Sequence, residues 1–166
     1  MHPKFLPVLL LVLAGCSATP PPVPPRSATM AVTTDELVVQ RAILTFHGRQ
    51  FTLNGYLSLS RAGGKRLVVT ENFGAVLADV LVKPDGRVYV ERSSALFRPE
   101  WIQRYLVSYL ECVCGGAPPP DSTCQWSNPS HVVIAHPAYE LDLQTLETRP
   151  GPQSPKLFAE TRPDPS

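Results

Sequence analysis

The residues best equipped for chemistry are three cysteines, Cys112, Cys114 and Cys124, crowded around a Gly115-Gly116-Ala117-Pro118-Pro119-Pro120 loop. Thiols this close together either oxidise in pairs or, with an imidazole, hold a metal. A zinc site would draw on Cys112, Cys114, Cys124 and either His131 or His136, but the C-x-C spacing departs from the usual C-x₂₋₄-C of structural zinc. A disulfide pinning the proline loop is the expectation wherever the compartment is oxidising. Cys114 with Cys124, or Cys112 with Cys124, would close loops of similar size, each stabilising by roughly 2–3 kcal/mol on the chain-entropy model. Spacing does not choose between them, and one thiol is left over, to be buried or to pair with another chain.

Other reactive groups are scattered. The chain has no G-x-S-x-G, Walker loop, H-E-x-x-H or G-x-G-x-x-G. His47, His131 and His136 stand apart, with no serine or cysteine beside them in a recognisable nucleophile frame. Asp79 interrupts an apolar run, where it is either a general base or an outward-facing carboxylate; the second is the expectation. We therefore expect no enzyme, no catalytic residue, no metal and no cofactor.

A fourth cysteine, Cys16, belongs to a different context. Met1 to Cys16 reads as a short n-region with Lys4, an apolar run from Phe5 to Leu13 and then small residues, the pattern of a secretory signal in residues 1–15. Leu13-Ala14-Gly15-Cys16 resembles the lipobox of bacterial lipoproteins, which implies acylation at Cys16 and anchorage in a membrane. By the same resemblance, Ser17 in place of an aspartate implies delivery to the periplasmic face of the outer membrane. Residues 16–32 then carry a proline-rich stretch suited to an extended tether of about 3.1 Å per residue. Across the whole chain 15 Lys+Arg face 14 Asp+Glu, and the signal removes one cation, Lys4. A balanced mature chain offers no electrostatic footprint for nucleic acid.

The 166 residues, 43% hydrophobic and 17% charged, suit one modest globular domain, expected here at 33–147, with a proline-rich tail at 148–166. Thr33-Thr34-Asp35-Glu36 offers a capping box for a short helical turn. Strand patterns follow. Val38, Gln40, Ala42, Leu44 and Phe46 share one side, and after Gly48-Arg49 so do Phe51, Leu53, Gly55, Leu57 and Leu59. Further strands are expected over Lys65–Thr70, Ala75–Val82 and Arg87–Ser93, the last two joined by a Lys83-Pro84-Asp85-Gly86 turn. His131–Ala135 and Tyr139–Leu146 form a closing pair. Between these groups, Arg98 to Leu110 reads as a helix, with Pro99 near its start and a stripe of Ile102, Tyr105, Leu106, Tyr109 and Leu110. The expected fold is α+β: an antiparallel, curved, incomplete β-barrel, a meander of about seven strands, covered by one or two helices.

Taken together, Phe51-Thr52-Leu53-Asn54-Gly55-Tyr56-Leu57, Arg66-Leu67-Val68-Val69, Asn72 to Val80, the Pro-Asp-Gly turn, Ala138 to Leu143 and Lys156-Leu157-Phe158 resemble the LolA/LolB superfamily of lipoprotein carriers and receptors. The nearer likeness is to short LolB-like outer-membrane lipoproteins. That resemblance implies a non-catalytic lipoprotein that receives the acyl chain of a lipid or lipoprotein in a hydrophobic cavity. Phe51, Leu53, Leu57 and Leu59 would line the sheet, and Ile102, Leu106 and Tyr109 the lid. The same side chains would equally fill a solid core. The alternative is a structural lipoprotein whose domain docks onto an envelope protein assembly through the Cys112–Cys124 loop or an edge strand.

Overall fold

The computed structural model describes residues 34–114, 118 and 121–151. The signal segment with Cys16, the tether and the chain beyond Gly151 lie outside the described residues. Eight strands form one antiparallel sheet: β1 (Glu36–Phe46), β2 (Arg49–Leu59), β3 (Lys65–Glu71), β4 (Val76–Val82), β5 (Val88–Ser93), β6 (Thr123–Asn128), β7 (His131–His136) and β8 (Tyr139–Pro150). Their order is β5-β4-β3-β2-β1-β8-β7-β6, so the sheet is not closed and β5 and β6 are its margins. The chain linking those margins carries the helical segment: α1 (Pro99–Trp101), a π-helical turn (Ile102–Leu106) and α2 (Val107–Val113).

Three expectations need correction. The sheet has eight strands where the patterning indicates about seven, because Thr123–Asn128, polar and following a run of prolines, pairs with β7 as β6. The capping box also makes no helical turn among the described residues: Glu36 already belongs to β1, and the Asp35 carboxylate instead accepts the backbone N–H of Arg61 at 3.0 Å. At the other end β8 runs on to Pro150, and the Gly151 N–H donates to the Asp35 carbonyl. The first three residues assigned to a tail are thus strand.

Turn chemistry sets the register. His47 (φ 48°) and Gly48 (φ 72°) both take positive φ between β1 and β2, as a two-residue hairpin turn of the right twist requires. That turn aligns Phe46 with Arg49, Leu44 with Phe51 and Ala42 with Leu53. Gly86 (φ 83°) closes the β4–β5 hairpin, where its N–H donates to the Lys83 carbonyl at 2.9 Å. The hairpins at Ser60–Gly64 and Glu71–Ala75 repeat the same pair of backbone hydrogen bonds.

Alternation then separates the faces. Val38, Ala42 and Leu44 of β1, Leu53 and Leu57 of β2, Leu67 and Val69 of β3, Val132 and Ile134 of β7, and Leu141 and Leu143 of β8 are buried in one cluster. The helical segment covers that face with Ile102, Leu106, Tyr109, Leu110 and Cys112. Burying a side chain such as Leu57 or Ile134, each 1% exposed, stabilises by roughly 1.5–3 kcal/mol. The helix therefore belongs to the core, and among the described residues no second helix covers the other face of the sheet.

Candidate functional site

The space between helix and sheet is mostly filled, and the cavities among the described residues include two apolar ones. The inner one is about 40 Å³, walled by Ala42, Leu44, Leu53, Gly55, Leu67 and Val69 of the sheet and by Trp101, Tyr105, Leu106 and Tyr109 of the helix. A water needs roughly 10–15 Å³ measured this way, so the inner cavity is far too small for a hydrocarbon chain. The outer one is about 260 Å³, walled by Leu44, Phe46, Phe51, Leu53, Leu77, Ala95, Leu96, Phe97, Arg98 and Trp101. An engineered apolar cavity of about 150 Å³ takes up benzene, so the outer cavity has the volume to admit an apolar guest. Leu44, Leu53, Phe97 and Trp101 border both and form the partition between them.

Each wall has a local cause. Leu44 is paired with Phe51 across the first hairpin, and Phe46, paired with Arg49, shares their face, because the two-residue turn sets this register. Leu77 reaches the cavity from β4 beside a register irregularity between Val69 and Thr70. Arg98 has extended backbone (φ −63°, ψ 148°), and Pro99 opens the helix after it. The π-helical turn that follows is wider than an α turn, and Trp101 joins Ile102 and Leu106 against the core. Around the Trp101 ring lie Phe97 at 4.9 Å, Tyr105 at 5.2 Å, Tyr139 at 6.1 Å and Phe46 at 6.5 Å, mostly edge to face or tilted. His136 stacks on Tyr139 at 5.1 Å.

The residues expected to line a cavity divide. Leu53 borders both cavities, Phe51 the outer one, and Leu106 and Tyr109 the inner one. Leu57, Leu59 and Ile102 line neither; Leu57 and Ile102 are buried and Leu59 is half-buried against the core. Among the walls that sequence reasoning missed are Phe97, Trp101, Leu96 and Arg98. The first and third lie in a loop without periodicity, and Trp101 falls outside the 3.6-residue stripe.

The cysteine question is resolved in favour of Cys112–Cys124, a disulfide that ties the end of α2 to the start of β6. Neither sulfur is then free to ligate zinc. Cys114 is the remaining thiol, and burial raises its pKa above the ordinary cysteine value. Asp79 faces away from the helix-covered side but is buried, and it makes a bidentate pair with Arg66, Nε to Oδ1 at 2.9 Å and Nη2 to Oδ2 at 2.8 Å, which satisfies its charge there.

One reading of the histidines is corrected. Ser127, re-aimed by a bulge in β6, has its Oγ 2.5 Å from His131 Nδ1, and His131 Nε2 lies 2.7 Å from Asp142 Oδ1. Sequence distance hid this chain, which a β-hairpin and a bulge bring together. Its order is that of a nucleophile, a base and an orienting carboxylate. All three lie on the face of the sheet away from the helix, and Ser127 lines neither of these two cavities.

No protein-family model matches the chain, and no curated protein matches it. Among the described residues, no helix is long and apolar enough to cross a membrane.

Proposed function

We propose that the domain is an incomplete, curved barrel that binds an acyl chain in the outer cavity, without catalysis, while its acylated Cys16 holds it at the periplasmic face of the outer membrane. The observation that carries the binding reading is the 260 Å³ space whose walls, Arg98 apart, are hydrocarbon and aromatic. A hydrocarbon tail has no polar features to match, so area, shape and dryness are what such a site must offer. The supporting argument for the anchor is the Leu13-Ala14-Gly15-Cys16 sequence. One acyl chain holds a protein marginally, whereas two or more make the anchor stable.

The test for binding is displacement of a fluorescent fatty acid from the purified chain, with bound lipid extracted and weighed by mass spectrometry. Ala95 is an exposed wall residue, so Ala95→Trp fills the cavity without disturbing the core. Stoichiometric lipid lost on Ala95→Trp is the expected result; a chain that emerges without lipid and takes up none refutes it. Fractionation after Cys16→Ala tests the anchor, and retention in the membrane pellet would refute it.

Phe73 favours a second reading, docking onto an envelope protein. It is 94% exposed at the tip of the β3–β4 hairpin, beside Gly74 with φ 86°, which leaves an aromatic ring open to contact with a partner. Cross-linking from Phe73 to one protein, in a chain free of lipid, would select this reading.

A further inference from the structure

Arg98 is the one charged residue in the wall of the outer cavity, and it stands at the rim, exposed, where the loop from β5 turns into the helix. Among the described residues its side chain makes no ion pair and no hydrogen bond. Glu100 follows two residues later and is not its partner. A hydrocarbon guest alone gives such a cation nothing to do. Resting on the binding reading above, we infer that the cavity takes a single-chain amphiphile with an anionic head, its tail inside and its head on the Arg98 guanidinium.

Three observations support this orientation. The other nine wall residues are Leu44, Phe46, Phe51, Leu53 and their apolar neighbours, so a charged head inside would be desolvated without a partner. Arg98 keeps its hydration until the head arrives, and its planar fork then matches a carboxylate or a phosphate through charge-assisted hydrogen bonds. The outer space holds about 260 Å³, and Leu44, Leu53, Phe97 and Trp101 part it from the 40 Å³ space. A volume of that size suits one chain rather than a pair. Carboxylate and phosphate share the chemistry Arg98 would recognise, and they mark two sources, a free fatty acid or a monoacyl phospholipid.

The experiment titrates decanoate, decyl phosphate, decanol and decyltrimethylammonium, each below its micelle concentration, into the full chain carrying Cys16→Ser, so that no acyl chain of its own competes. Calorimetry reads the affinities. Decanoate should bind about fivefold tighter than decanol, as an exposed ion pair of about 1 kcal/mol supplies. Arg98→Gln should bring decanoate down to the level of decanol, and Arg98→Lys should restore part of the difference. Within a carboxylate series each added methylene should tighten binding by up to about fourfold until the cavity is full. Decyl phosphate binding more tightly than decanoate in an Arg98-dependent way supports the inference and marks a phosphate head as the source; the reverse order supports it and marks a fatty acid. Equal affinities for decanoate and decanol, or tighter binding of the cationic amphiphile, overturn the anionic head while leaving tail binding in place. Failure of all four to bind overturns tail binding itself.

Discussion

The Tyr109 hydroxyl donates a hydrogen bond to Oε1 of Gln40, joining helix to sheet across the covered face. Both side chains are buried, and Gln40 is fully so, with its Nε2 unpartnered. A buried amide that makes half its bonds costs stability, and removing one member of the pair leaves the other unpaired as well. Gln40→Leu alone should therefore destabilise by about 1–2 kcal/mol, because the Tyr109 hydroxyl loses its acceptor. Gln40→Leu with Tyr109→Phe should recover most of that loss. Urea denaturation of the two single variants and the double variant closes the cycle; additive losses would show that the hydrogen bond contributes nothing.

Gly55 faces Gln40 in the β1–β2 register and lines the inner cavity. A Cβ there would meet Gln40 Oε1 at 3.5 Å, Gln40 Cβ at 3.6 Å and Leu67 Cδ1 at 3.8 Å, all ordinary contacts. Its φ lies outside the positive range, so alanine meets no backbone penalty. Gly55→Ala should raise stability by about 0.5–1 kcal/mol through a less flexible unfolded chain and a smaller void. A fall in thermal midpoint would contradict this.

The Cys112–Cys124 disulfide closes a loop with a sequence separation of 12. The chain-entropy model assigns about 3 kcal/mol to a loop of this size. Cys112→Ser with Cys124→Ser should lower the unfolding free energy by about that amount, whereas reduction of a Cys114→Ser chain should reproduce the same loss. Equal stability of oxidised and reduced chains would remove the disulfide from the fold's support.

Much of the sheet was legible because alternation is a local property. Val38 to Phe46 and Phe51 to Leu59 each expose their inward set by period two alone, and the structure buries or half-buries every member. β6 was not legible: Thr123–Asn128 is short, polar and preceded by prolines, and only Cys124 and Trp126 turn toward the core. The cavity was half legible. Leu53 and Phe51 belong to the readable strand, but Leu96, Phe97 and Arg98 reach it from a loop, and Trp101 reaches it through a π-helical turn that breaks the expected spacing. His131 acquired its neighbours by pairing across three strands, which no local pattern encodes.

Alkaline pH should unfold the domain by a route that names its own residues. Burial raises the pKa of Tyr109 far above the ordinary tyrosine value, and it raises Tyr139 and Cys114 too; Gln40 only partly offsets the effect at Tyr109. In the unfolded chain these groups release their protons near pH 9 for the thiol and near 10 for the phenols, while the folded chain retains them. Above those values the unfolded state binds fewer protons than the folded state, so the stability that the neutral groups support is complete below pH 9 and falls as pH rises. Each fully shifted group contributes a slope of at most about 1.4 kcal/mol per pH unit. Tyr109→Phe should flatten the decline between pH 10 and 11 whatever it costs at pH 7, and Cys114→Ser should delay its onset. Denaturant midpoints measured from pH 7 to 11 decide the matter, and a Tyr109→Phe curve parallel to that of the parent throughout would show that this phenol is no part of the alkaline transition.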